Sequence, residues 1–149
     1  MSTLADPDSA RACCDRLARL EPATARRWGR MTAHQMVCHL YDSFQVALGR
    51  RQVSPAASPL PRKWVKWIAL RSSLPWAHNV PTRPEIKQGL GGTAPANWDQ
   101  DRENVRQMIL TFASNCRPGT HPMFGPMTET DWHIWAWRHV DHHLRQFGL

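Results

Sequence analysis

The sequence has a single tyrosine, no CxxC pair among its four cysteines, and no long apolar run. Each shortage excludes something. A membrane-spanning helix needs roughly 18 or more apolar residues, and a run such as Trp67-Ile68-Ala69-Leu70 falls far short of that. The first ten residues carry Asp6 and Asp8 and lack a basic start followed by an apolar stretch, so no secretory leader is expected and the expected location is cytoplasmic. Cys13 and Cys14 are adjacent, a poor geometry for an ordinary disulfide. Together with Cys38 and Cys116 they are expected to stay reduced, as small buried residues. There is no GxSxG, no phosphate-binding GxxxxGK[ST] and no dinucleotide glycine fingerprint. No block of five like charges occurs, and the arginines are scattered. The net charge of +7 therefore does not by itself make nucleic acid an expected partner.

What the chain does have is eight tryptophans and eight histidines in 149 residues. The length suits one domain spanning residues 1–149, since a chain of about 150 residues buries roughly 68–70% of its unfolded surface. The pattern is helical. A first helix is expected over about 9–20, capped by Asp8 or Ser9. Thr32-Ala33-His34-Gln35 has the form of a capping box, and Met36, Leu40, Phe44, Ala47 and Leu48 follow at helical spacing up to Gly49. Pro61 can open a third helix that ends before Pro75. Asn97 caps a fourth, with Val105, Met108, Ile109 and Phe112 on its apolar face. Thr128 starts a last helix over about 129–147, whose inward stripe is Trp132, Trp135, Ala136, His139, His143 and Phe147. Between the third and fourth helices, residues 75–96 hold four prolines and three glycines. No strand alternation of useful length is visible. The expected fold is all-α: an antiparallel four-helix bundle with a long Pro/Gly-rich connection.

The histidines supply the chemical signal. His139 and His143 stand four residues apart, on one helix face. Two imidazoles so placed can point at one metal ion. They continue the inward stripe, so they are expected to face the bundle. His39, between Met36 and Leu40 on the second helix, is the best third ligand. His34 lies roughly 140° around that helix from His39 and cannot easily share its face. His142 points about 100° away from His143, which makes it a neighbour of the site or an exposed residue. No glutamate stands between His139 and His143, so the zinc-protease pattern HExxH is absent.

Three segments carry a resemblance: Trp28-Gly29-Arg30-Met31-Thr32-Ala33-His34-Gln35-Met36-Val37-Cys38-His39-Leu40; His121-Pro122-Met123-Phe124-Gly125-Pro126-Met127-Thr128; and Arg138-His139-Val140-Asp141-His142-His143-Leu144-Arg145-Gln146-Phe147. Through them the chain resembles the DinB/YfiT-like superfamily of metal-binding four-helix bundles, in a branch known as a domain of unknown function. The resemblance implies a triad of His39, His139 and His143 around a divalent ion, with zinc, nickel, iron and manganese all open. It also implies chemistry on a small molecule, including transfer to a low-molecular-weight thiol or hydrolysis.

Other residues have weaker claims. Asp42, three residues after His39, can orient it as an acceptor. Gln146 follows His143 by three and is expected at the rim. Trp132 and Trp135 are expected beside the ligands as core or pocket wall. Trp64, Trp67 and Trp76 border the irregular stretch and suit an apolar pocket or a homodimer face. No general base is evident, so a non-catalytic metal- or ligand-binding module stands as the alternative. A small-molecule substrate is the expected partner; nucleic acid and membrane are not.

Overall fold

Short polar residues fix where each long helix begins. In the computed structural model, which describes residues 2–149, the order is α1 (Pro7–Ala18), α2 (Ala33–Ala47), α3 (Arg62–Arg71), a 3-10 turn at Pro84–Ile86, α4 (Trp98–Asn115), β1 (Gly119–His121), β2 (Gly125–Met127) and α5 (Glu129–Gln146). Thr32 and Gln35 form the reciprocal capping box at the start of α2, and Asn97 accepts from the Gln100 N–H at the start of α4. Thr128 and Asp131 repeat the box at α5. The first helix begins earlier than expected. Asp6, not Asp8 or Ser9, is its cap, accepting from both of their N–H groups, with Pro7 in the first helical position.

The four longest helices close a ring of contacts, α1 on α4, α4 on α2, α2 on α5 and α5 on α1. Their apolar stripes meet in one core. Leu17, Met36, Leu40, Phe44, Ile109, Phe112, Trp132 and Leu144 are all buried there, and the Phe44 and Phe112 rings meet edge to face at 5.2 Å. The result is the all-α bundle that the helical periodicity requires.

Two features depart from the sequence reading. Between α4 and α5 the chain forms a small antiparallel hairpin, pairing Gly119 with Met127 and His121 with Gly125. Strands of three residues are too short to show alternation. The hairpin is held from inside: Nδ1 of His121 accepts the N–H groups of Met123 and Phe124. The Pro/Gly-rich stretch is also tied down. Its 3-10 turn packs on α2 with Ile86 buried. The carboxylate of Asp42, fully buried on α2, accepts from the Thr93 N–H, the Thr93 hydroxyl and the Arg51 guanidinium, while Glu85 accepts from the Ser54 N–H.

Helix α3 lies outside the ring and docks on α5. Its anchor is electrostatic. Asp131 is buried and receives Lys66 and Arg71 at 2.7 Å each, while also serving the α5 capping box. Removing one partner of a buried ion pair leaves the other charges uncompensated. Asp131→Ala is therefore expected to lower stability by about 2–4 kcal/mol, from the lost pairs and the lost cap together. A chemical denaturation midpoint unchanged from the parent would contradict this. No helix among the described residues is long and apolar enough to cross a membrane.

Candidate metal centre

The face of α5 that fills the core also carries His139 and His143, one turn apart, and α2 presents His39 to them. Each of the three offers a ring nitrogen within 4.8 Å of the other two. The ring of His39 lies 4.8 Å from that of His143 and 5.3 Å from that of His139, centre to centre, and the α5 pair are 4.8 Å apart. His39 and His143 are buried and His139 is partly open. The three residues that spacing singled out are thus brought together.

Burial sets their charge. It pushes the pKa of His39 down to about 4, against a weaker opposite pull from Asp42 and the Ile86 backbone. Burial also holds His139 and His143 well below 6.5, helped by the neighbouring imidazoles. All three are neutral at pH 7, with lone pairs free to bind. Two observations describe the surroundings of these nitrogens. Nε2 of His139 and Nε2 of His143 lie 3.1 Å apart, a distance at which two bare nitrogens repel unless one carries a proton or both share a cation. Nδ1 of His39 is buried with no hydrogen-bond partner.

Gln146 fixes His143. Its Oε1 accepts from Nδ1 of His143 at 3.0 Å, and this bond leaves Nε2 unprotonated and turned toward His139. Its Nε2 in turn donates to the Trp28 carbonyl at 2.9 Å. Gln146 is buried, so its expected place at the rim is corrected. The reason lies in Gly29: with φ at +78° and Gln146 Nε2 against the position a Cβ would occupy, only glycine lets the segment pass this close. The spacing of Gln146 from His143 was legible, whereas its partner on a distant loop was not.

The expected role of Asp42 is also corrected. It lies on the same side of α2 as His39, but its carboxylate is taken up by the Thr93 N–H and hydroxyl and by Arg51. It acts on His39 only through space. Asp141 points away as well, to Arg16 of α1 at 2.8 Å.

Aromatic rings wall the open side. Trp135 packs on His139 at 4.9 Å and Trp76 covers it at 5.9 Å. Trp76 is held by its indole N–H on the Ala69 carbonyl and by Arg138, which sits over its ring and also donates to the Ser72 and Leu74 carbonyls. Trp28 stacks on His78 at 4.0 Å, and His142 adjoins both as well as His143. Trp28 and His78 were not singled out from the sequence, because nothing local in their spacing links them to α5. Trp132 stands behind Trp135, edge to face at 5.2 Å, and lines a separate cavity of about 390 Å³ with His121, Arg62 and Arg117. Its ring pairs are with Trp135 and His121 and not with the three histidines.

His34 faces elsewhere, as its angle required. It pairs with Asp101 at 2.7 Å, beside Cys38. The same Asp101 oxygen accepts the Ala96 and Asn97 N–H groups, so this cluster is satisfied by its own members.

The DinB superfamily is matched over residues 7–147. No curated protein and no solved structure matches the chain.

Neutral buried histidines make a pH prediction with a definite sign. Their folded pKa values lie below 6.5, so as the pH falls below about 6.5 the unfolded chain takes up protons that the fold refuses. Stability is present above that pH and is lost as it falls toward about 4 for His39 and about 3 for His121. In metal-free protein the melting temperature is expected to drop steadily from pH 6.5 to 5, before the carboxylates titrate. A flat profile over that interval would exclude buried neutral rings.

Proposed function

From the chain's membership of the DinB superfamily, we propose that His39, His139 and His143 hold one divalent metal ion, and that the protein is a metal-dependent enzyme acting on a small molecule. The observation that carries this reading is the convergence of three neutral imidazoles, two buried and one partly open, on one point, two of them with facing Nε2 atoms.

The donor set fits a divalent ion. Imidazole suits zinc, nickel, iron and manganese. Three protein ligands, rather than four, leave a coordination position open, as in catalytic sites and unlike closed structural ones. When bound there, such an ion acts as a Lewis acid that activates a water, thiol or carbonyl. The chain's own residues do the rest. Gln146 holds the proton on Nδ1 of His143 and so keeps Nε2 available. Trp76 and Trp135 exclude water on the His139 side and present flat apolar surface to a substrate. His142, which is not among the three ligands, is kept neutral by burial and by His78. It is therefore able to accept a proton beside the site.

Transfer to a low-molecular-weight thiol and hydrolysis are the two reactions this arrangement supports, in a cytoplasmic setting. The absence of a carboxylate at hydrogen-bond distance from the ligands favours a second reading, a metal-holding module without turnover. Metal-dependent turnover in a screen of small thiols with electrophiles rejects that second reading.

The metal reading is tested by composition. Protein purified without a metal-affinity tag is expected to hold about one ion per chain, and His139→Ala with His143→Ala to hold none. A full load in the double variant would overturn the assignment. Gln146→Leu is expected to fold and to weaken metal affinity by roughly 10–100-fold, the usual effect of losing a group that orients a ligand. Competition with a fluorescent chelator measures it.

A further inference from the structure

The excess positive charge of this protein is not spread over it. Between Asp42 and Glu85 the chain contains no acidic residue and seven basic ones: Arg50, Arg51, Arg62, Lys63, Lys66, Arg71 and Arg83. Seven is also the net charge of the whole protein, so the remainder of the chain is balanced. That one segment also carries most of the exposed large apolar side chains. Trp64 is 56% exposed, Trp67 57% and Ile68 41%, all on the outer face of α3, and Leu60 and Leu74 flank the helix with exposures of 54% and 61%. The opposite side of the same helix packs on the core through Val65, Ala69 and Leu70, while Arg71, which shares the outer face, reaches round to Asp131. Soluble surfaces rarely gather apolar residues in this way without a partner.

We propose that α3 is an interfacial helix that seats this protein on an anionic membrane surface. The Trp64, Trp67 and Ile68 face enters the boundary between headgroups and acyl chains, and the surrounding cations meet the lipid phosphates. Tryptophan is suited to that boundary because its ring is apolar and its N–H is polar. Lys63, exposed in the first turn, stands beside the apolar face. A groove of about 380 Å³ runs along the side of the helix, lined by Lys63, Lys66, Trp67 and Arg71 against the single carboxylate of Asp131. It keeps a positive surplus next to an exposed indole, which suits a headgroup phosphate.

The length that a span requires excludes crossing the bilayer but not lying on it. A second copy of the chain fits the face less well, because a two-fold contact through α3 sets two copies of the same basic segment against each other. Single-stranded nucleic acid calls for cations among stacked aromatic rings, whereas the centre of this face is Trp, Trp and Ile. The proposal does not depend on the metal reading.

The test is co-sedimentation of the full chain with vesicles of phosphatidylcholine containing one third phosphatidylglycerol, beside vesicles of phosphatidylcholine alone. Binding is expected only to the anionic vesicles, and it should weaken as salt is raised. Trp64→Ala with Trp67→Ala should reduce binding at least tenfold. Lys63→Glu should reduce it at least fivefold while leaving both tryptophans in place. The three positions are exposed, and an unchanged circular-dichroism melt shows that each variant is folded. Failure to sediment with anionic vesicles overturns the proposal, as does equal binding by the tryptophan double variant. So does a concentration-dependent dimer that the double variant abolishes without any vesicle binding, or binding to a single-stranded oligonucleotide in place of vesicles.

Discussion

Everything about the candidate centre depends on one constraint: three imidazoles must be packed together against the core and kept uncharged. A bundle core does this readily, since burial alone disfavours the protonated ring. It also leaves polar nitrogens in an apolar interior, where each lacks the water it would otherwise bond. The fold answers this unevenly. His143 has Gln146 on one nitrogen and His139 on the other. Nδ1 of His39 is buried without a close side-chain partner, with only the Ile86 backbone near it. An unsatisfied polar atom beside converging lone pairs has a physical reason when a cation completes the set.

The helix starts determine whether those rings can meet. The rings stand on α2 and α5, and each of these begins at a reciprocal capping box, at Thr32 and at Thr128. Capping fixes which residue opens the helix, and at about 100° per residue this fixes which residues face inward. His39 is the seventh residue after Thr32, and His139 the eleventh after Thr128. A slip of one residue in either start would turn its ligand away from the core. The hairpin before α5 acts in the same sense, since His121 closes it from the inside and stacks on Phe124 at 4.3 Å.

Much of this was legible in the sequence, and the division follows contact range. Caps, helix faces and the i, i+4 histidine pair are local, and Thr32, Asn97, Thr128, His139 and His143 fall where spacing placed them. The pairing of His39 with α5 was inferred from facing, which works because both residues lie on apolar stripes that must be buried. What spacing could not give is which distant group a polar side chain chooses. Asp42 was read as a partner of His39 and instead fastens Thr93 and Arg51. Gln146 was placed at the rim and instead reaches the Trp28 carbonyl across more than a hundred residues. The Trp28–His78 stack joins two loops with no periodicity to reveal it.

The same logic explains why the irregular stretch is long yet anchored. A chain of some twenty residues with four prolines has little helical capacity, and left free it would expose the His139 side to water. Three polar fastenings prevent this: Asp42 holds Thr93, Ser54 donates to Glu85, and Arg138 holds the carbonyls of Ser72 and Leu74 so that Trp76 stays over His139. Two of these rest on residues of the helices that bear the imidazoles, Asp42 on α2 and Arg138 on α5. The wall of the centre and its ligands are therefore positioned by the same two elements. Arg138 precedes His139 directly, so a shift of α5 moves the ligand and the support of its cover together.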